Sequence, residues 1–285
     1  MAGRRRQTAQ DRESGGFTDD VDEQSLLVDL ADLDRNIKLH PADAYAISSR
    51  GQMYLAMKRY DEALADLDRA IELDASDAWA ISARGQAHGK MGRYEEALAD
   101  LDRAAALAPD DPLVFYARGE TYGLMDRLEE AVADFSHAIE LYPEYAWAVS
   151  ARGEIYEEMG RYDEALADHD HAVGLAPADA WVISARGETH RLMGRPEKAI
   201  ADFTRAIELA PEYAWPVGSR GQAYLAVGHY DQALADLSRA IELDPSDAEA
   251  IGSRGQAYRL LGREDEAHAD FTRAIDIDPG YKPKM

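Results

Sequence analysis

The chain has 285 residues, 46% hydrophobic and 30% charged, and no stretch approaches the roughly 18 consecutive apolar residues that a membrane-spanning helix needs. It contains no cysteine, which excludes disulfides, thiolate catalysis and every cysteine-ligated metal site. Fifty-five acidic against 31 basic side chains leave a net charge of -24, which repels nucleic-acid phosphate and anionic lipid and favours neutral or cationic partners.

In chain order, residues 1–20 are polar and charged without periodicity and read as a disordered tail. Arg4, Arg5 and Arg6 are followed by no apolar stretch, so they make no secretory signal, and three arginines are too few for a nucleic-acid patch. Residues 21–43 read as one leading helix, because Ser25 to Asp43 repeats the second half of the units that follow without their first half. The dipeptide Arg-Gly then recurs every 34 residues without insertion or deletion, at Arg50, Arg84, Arg118, Arg152, Arg186, Arg220 and Arg254. A fixed period of this length specifies a repeat fold. It divides the chain into seven units, 44–77, 78–111, 112–145, 146–179, 180–213, 214–247 and 248–281, ahead of a short tail, 282–285. Both halves of a unit carry apolar residues at helical spacing around a turn, so each unit is expected to be a helical hairpin.

The punctuation agrees. Gly92, Gly160, Gly194, Gly228 and Gly262 stand where a first helix must stop, and Pro109, Pro143, Pro177, Pro211, Pro245 and Pro279 follow the second. Asp43, Asp77, Asp111, Asp179 and Asp247 precede first helices, where a carboxylate accepts from free amides. The glycine of each Arg-Gly pair is expected to face a small residue, Ala63 and its equivalents, letting the two helices approach closely. In the last unit Glu264 and His268 replace the tyrosines and aliphatics of the other units, as an uncovered outer face requires.

With Arg220, Gly221, Tyr224, Ala233, Asp236, Leu237, Ala240 and Pro245, the unit from Ala214 resembles the tetratricopeptide repeat family, and the resemblance covers about five-sixths of the chain. The resemblance implies an all-α, right-handed superhelix of stacked hairpins, with first helices lining a concave groove. One departure is general: the family's bulky aromatic near the start of the first helix is replaced by Ile47, Ile81, Phe115, Val149, Ile183, Val217 and Ile251, with aromatics two places earlier.

Two constellations stand out. Each Arg of the Arg-Gly pairs occupies a place where the family commonly has leucine, so a partly buried guanidinium is expected to need a fixed carboxylate. Asp66, Asp100, Asp134, Asp168, Asp202, Asp236 and Asp270 recur as faithfully, giving an expected ladder of ion pairs, either within a unit or between Asp168 and Arg186 of the next. The ladder reads as architecture. The second constellation is a stripe along the first helices at the second, fifth, ninth, twelfth and thirteenth places, which share a face. It carries Tyr45, Trp79, Trp147, Trp181 and Trp215, Tyr116, and Glu120, Glu154, Glu157, Glu158 and Glu188, with Tyr145 and Tyr213 at its mouth. Tryptophans in an exposed row read as a recognition strip, and the acids beside them suit a segment carrying Arg or Lys. Packing of the rings on neighbouring hairpins is the competing account.

The family's clamp for a terminal carboxylate is not matched, because the ninth place holds Gln or Glu and the fifth has no Lys, so capture of a chaperone tail is not expected. Arg191 and Arg259 read as the only cations on the stripe, and as isolated ones. His169 and His171, two apart, point in divergent directions and do not chelate together; His169 stands in a packed aromatic or aliphatic place. No metal, no cofactor and no catalytic motif is expected. The sequence therefore points to a non-enzymatic, monomeric, cytoplasmic scaffold for a protein or peptide partner, with no nucleic acid and no membrane. An architectural or self-associating protein, or a regulatory subunit of a separate enzyme, are the rival readings.

Overall fold

The computed structural model describes residues 23–282. The expected tail at 1–20 lies outside the described residues, as do the first two residues of the expected leading helix and the last three of the chain. Fifteen helices and no strand occur among the described residues. They are α1 (Glu23–Leu39), α2 (Ala44–Ala56), α3 (Tyr60–Leu73), α4 (Ala78–Lys90), α5 (Tyr94–Leu107), α6 (Pro112–Leu124), α7 (Leu128–Leu141), α8 (Ala146–Glu158), α9 (Tyr162–Leu175), α10 (Ala180–Leu192), α11 (Pro196–Leu209), α12 (Ala214–Ala226), α13 (Tyr230–Leu243), α14 (Ala248–Leu260) and α15 (Glu264–Ile277).

Local chemistry sets these boundaries. Carboxylates accept from the opening amides of five first helices: Asp43 from Ala46 N, Asp77 from Ala80 N, Asp111 from Leu113 N, Asp179 from Trp181 N and Asp247 from Ala250 N, at 2.8–3.1 Å. Tyr145 and Tyr213 hold the same position ahead of α8 and α12 without a side-chain cap bond. At the turn inside each hairpin, five glycines adopt φ between +68° and +78°, while Lys58 and Asp126 hold φ of 58° and 62°. Those two are the departures from the glycine signal, and they reach the left-handed region at a cost that glycine avoids.

Contacts divide the chain into two compact units, one ending at Met159 and the other beginning at Gly160. In the N-terminal unit α1 packs on α2, α2 on α3, and α3 on the next first helix, and the pattern continues to α8. First helices also touch each other: α2 meets α4, α4 meets α6, and α6 meets α8. One apolar cluster runs through Ile37, Ile47, Leu67, Ile81, Val114 and Phe115; another joins Phe135 of α7 to Ala151 and Ile155 of α8. In the C-terminal unit, α9 to α15 pack in the same alternating order, and Val217, Leu237, Ile241 and Ile251 form the core of its later helices.

In six hairpins the close approach rests on the Arg-Gly glycine, at Gly51, Gly85, Gly119, Gly187, Gly221 and Gly255, but its opposite number is larger than expected. A methyl group built on Gly51 would lie 2.8 Å from Leu67 Cγ, and one on Gly119 would lie 2.9 Å from Phe135 Cε1. The alanine at Ala63 contributes only its carbonyl oxygen, at 3.3 Å. The glycine therefore makes room for the Leu or Phe sixteen residues on, a big-small pairing that fills space without a void. On α15, Glu264 and His268 are exposed.

Candidate functional site

Six of the seven Arg-Gly arginines are seen to reach two helices at once. In Arg50, Arg84, Arg118, Arg186, Arg220 and Arg254, Nε and Nη2 donate to both oxygens of Asp66, Asp100, Asp134, Asp202, Asp236 and Asp270 respectively, at 2.6–2.9 Å. This parallel, two-pronged geometry is the strong form of a charge-assisted bond. Nη1 turns the other way, to the preceding second helix: Arg50 to Asp34, Arg84 to Asp68, Arg118 to Asp102 and Arg186 to Asp170, at 2.7–3.1 Å. Hydroxyls stand in that place for Arg152 (Ser136), Arg220 (Thr204) and Arg254 (Ser238). The expected alternative, Arg186 reaching back to Asp168, is corrected. The acceptor is Asp170, because a step of two residues turns a helix by more than half a circle: Asp168 is buried and Asp170 is exposed. The second partner was missed in the sequence, although its signal, an Asp, Ser or Thr two places after the ladder aspartate, was there. The bonds to the ladder aspartates Asp66, Asp100 and Asp134, aided by the second acceptors, hold Arg50, Arg84 and Arg118 above the usual guanidinium range, so these side chains stay charged.

Along the first helices of the N-terminal unit, the second place is open. Tyr45 is 76% exposed, Trp79 38% and Leu113 52%. Trp147 and Tyr145 are half-buried. Tyr116 lies between Tyr145 and Phe135, with ring centroids 5.3 and 5.6 Å away, and its hydroxyl donates to Glu120 Oε1 at 3.3 Å. Beside this aromatic group a half-open cleft runs across α4, α6 and α8, with a cavity volume of about 70 Å³. Glu120, Glu154 and Glu158 line it over an apolar floor that includes Ala117, Ala151 and Ile155, above Phe135. Gly89 of α4 and Gly123 of α6 open its wall, and Lys90 stands at its edge. Glu157 is half-buried and does not line it. Lys90 corrects the expectation that Arg191 and Arg259 are the only cations on the stripe.

In the C-terminal unit the second place is enclosed at Trp181, half-buried at Trp215 and exposed at Glu249. Trp181 is 1% exposed, and the expectation of an exposed indole there is corrected. The physical reason is local: Ala180 to Ala185 are all buried, which is more than one full turn, so no direction in which the side chain could leave the helix reaches water. Burying so large an apolar surface favours that arrangement by about 2–3 kcal/mol. Glu188 is also buried, and Arg191 Nε and Nη2 donate to its two oxygens at 2.7 and 2.6 Å, so Arg191 is not isolated. Tyr213 is buried and lies 6.0 Å from the half-buried Trp215.

Models of the tetratricopeptide repeat match residues 113–145, 144–212 and 219–282, and a model described as the TPR repeat matches 51–92 and 90–126. The chain belongs to the tetratricopeptide repeat family. Among solved structures, the APC/C hetero-tetramer Cut9–Hcn1 is similar over 90% of this chain and 52% of that one, at 15% identity and a TM-score of 0.77. This chain thus spans about half that neighbour's length. A tetratricopeptide repeat protein from Parabacteroides merdae is similar over 84% and 94% of the two chains, at 18% identity and a TM-score of 0.66. A structure from a functional characterisation of Pseudomonas aeruginosa pilF gives 73% and 94%, 17% identity and 0.62. These likenesses speak to the fold. No curated protein matches the chain.

Tetratricopeptide repeat proteins are protein–protein interaction scaffolds and are generally non-catalytic. In this member His169 is fully buried among packed residues and His171 is exposed. His88 and His190 replace the tyrosine that other units carry at the eleventh place, and burial lowers the pKa of both below the ordinary histidine value. Among the described residues no group of three or more His, Asp or Glu is arranged to hold a metal ion, and no helix is long and apolar enough to cross a membrane.

Proposed function

We propose that this tetratricopeptide repeat protein is a non-enzymatic, cytoplasmic adaptor whose first-helix faces in the N-terminal unit dock a neutral or basic segment of another protein. We divide it into a leading helix at 21–43 and seven repeats over 44–281, acting as a monomer. The observation that carries the docking reading is the open second place: Tyr45, Trp79 and Leu113 keep large apolar surface in water at a spacing of 34 residues. Such surface is the raw material of an interface, since covering it returns about 25 cal/mol for each Å². The net charge of -24 selects which segments approach. Trp147, Glu154, Glu157 and Glu158 extend the same stripe along α8. In the C-terminal unit Trp215 is the aromatic that remains partly open.

The test is selection from a random peptide display library. Enrichment of Lys- and Arg-containing segments by the wild-type chain, lost in a Tyr45→Ser, Trp79→Ser, Leu113→Ser variant of unchanged helicity, is the expected outcome. Equal enrichment by that variant, or none by the wild type, removes this reading.

A further inference from the structure

We propose that the cleft across α4, α6 and α8 is a pocket for a single long cationic side chain, Arg or Lys, of the docked segment; this rests on the docking reading and adds to it a defined anchoring point. Size limits the occupant first. A cavity needs roughly 10–15 Å³ to take one water, so about 70 Å³ accommodates a handful of heavy atoms, the tip of one side chain. Chemistry limits it next. The floor of Ala117, Ala151 and Ile155 suits a methylene stem, and the charged groups lining the cleft are three carboxylates, Glu120, Glu154 and Glu158, with one ammonium, Lys90. An anion is repelled by that excess of negative charge, and an uncharged aliphatic gains nothing from it. A stem that ends in a cation matches both surfaces, and a guanidinium can bond two of the carboxylate oxygens at once.

The glycines supply an independent argument. At the twelfth place the other first helices carry Leu55, Glu157, Arg191, Leu225 and Arg259; only the adjacent α4 and α6 have glycine, Gly89 and Gly123. Gly51 and Gly119 are demanded by close helix packing, but Gly89 is not. A methyl group there would make only ordinary contacts, 3.7 Å to Thr121 Oγ1 and 3.8 Å to Ala97 Cβ. Packing therefore tolerates a larger residue at 89, and what its absence preserves is the open cleft.

The probes are Nα-acetyl-arginine amide and Nα-acetyl-norleucine amide, titrated into the full chain while methyl NMR signals of Thr121, Ala151 and Ile155 are followed. The arginine probe is expected to shift these signals saturably with a dissociation constant of order millimolar, and the norleucine probe to bind about tenfold more weakly. Gly89→Leu should abolish the shifts while leaving helicity and Tm intact. Glu154→Gln with Glu158→Gln should weaken arginine-probe binding about tenfold while the cleft stays open. Equal binding of the norleucine probe, or saturable arginine binding that survives Gly89→Leu, overturns the proposal. Failure of the two readings is separable: peptides lost on Tyr45, Trp79 and Leu113 substitution but indifferent to Gly89→Leu sink only the pocket. Arginine-probe binding without any peptide selection sinks only the docking reading.

Discussion

The second place of the first helix is aromatic in both halves of the molecule, yet Trp79 in the N-terminal unit is 38% exposed and Trp181 in the C-terminal unit is 1% exposed. The two helices share the A-W-x-I-S-A-R-G pattern, and each opens with an aspartate that caps it. What differs is the enclosure of the rest of the turn: ten residues of α10 are buried against six of α4, where Ala78 and Trp79 stay out of the core. A repeat position fixes the direction of a side chain along its helix, while its surroundings decide whether that direction ends in water.

Substituting the two tryptophans is the most direct way to break this contrast. Trp181→Ala removes a buried indole and should cost about 3–5 kcal/mol of unfolding free energy. Trp79→Ala, losing surface already partly in water, should cost less than about 1 kcal/mol and weaken peptide binding instead. Chemical denaturation followed by circular dichroism measures both. Equal losses would mean that the two sites do not differ in the way their exposures indicate.

The ion-pair ladder sharpens the comparison because it is alike in both units. Asp134 and Asp202 are both buried, and each accepts two bonds from its arginine. Asp134→Ala and Asp202→Ala should each cost about 3 kcal/mol, since each strands a partly buried guanidinium. Replacing both members, Arg118→Leu with Asp134→Leu, should recover most of that loss, because a matched apolar pair leaves no buried charge unpaired and Asp102, which loses Arg118, is exposed to water. A marked difference between the two single variants would show that the C-terminal unit is simply the more fragile, and the tryptophan result would then need that correction.

The ladder and the stripe also show how far the sequence could be read. Helices, turns and the within-unit Arg–Asp pairs were legible because each depends on neighbours at fixed spacing: a cap one residue ahead of a helix, a glycine at its end, a partner sixteen residues on. The second acceptor, Asp34 for Arg50 or Asp68 for Arg84, shows the same periodicity but only once the two second helices are known to flank the first. The burial of Trp181 and Glu188 was not legible, because the stripe pattern is the same there as at Trp147 and Glu154 and carries no record of what covers it. The cleft was half legible. Its carboxylates stood on the expected stripe, whereas the glycines that open it were lost among glycines that serve packing.

Half-buried His88 and buried His190 put one imidazole of depressed pKa in each unit and give a smaller, pH-dependent effect. Burial is the main cause that lowers both pKa values; around His88, Arg93 and Arg84 add to the depression, while Asp100 and Glu96 oppose it. A depressed folded-state pKa means that below about 6.5 the unfolded chain binds protons that the folded chain refuses. The stability these groups contribute is complete above that value and is lost as pH falls through the folded-state pKa values. Tm should therefore decline between pH 7.5 and 5.5. His88→Tyr with His190→Tyr, which restores the residue of the other five units, should flatten the decline. Asp247, whose carboxyl burial pushes up, works in the opposite direction in both proteins, so the difference between them isolates the histidines.

The smallest effect concerns the hairpin turns, where the N-terminal unit departs from its counterpart. Every hairpin turn that lies wholly within the C-terminal unit has a glycine at the left-handed position, Gly194, Gly228 and Gly262, but the N-terminal unit places Lys58 and Asp126 there. A side chain at φ near 60° crowds the following carbonyl, which costs an L-residue roughly 1 kcal/mol, offset in part by the extra freedom glycine brings to the unfolded chain. Lys58→Gly should then raise stability by about 0.5 kcal/mol, visible as a small rise in the denaturation midpoint with an unchanged slope. Gly228→Lys, the reverse exchange in the C-terminal unit, should lower it by a similar amount. If Lys58→Gly destabilises instead, the lysine side chain is making a contact worth more than its strain, and the turn of the first hairpin is held together by more than backbone geometry.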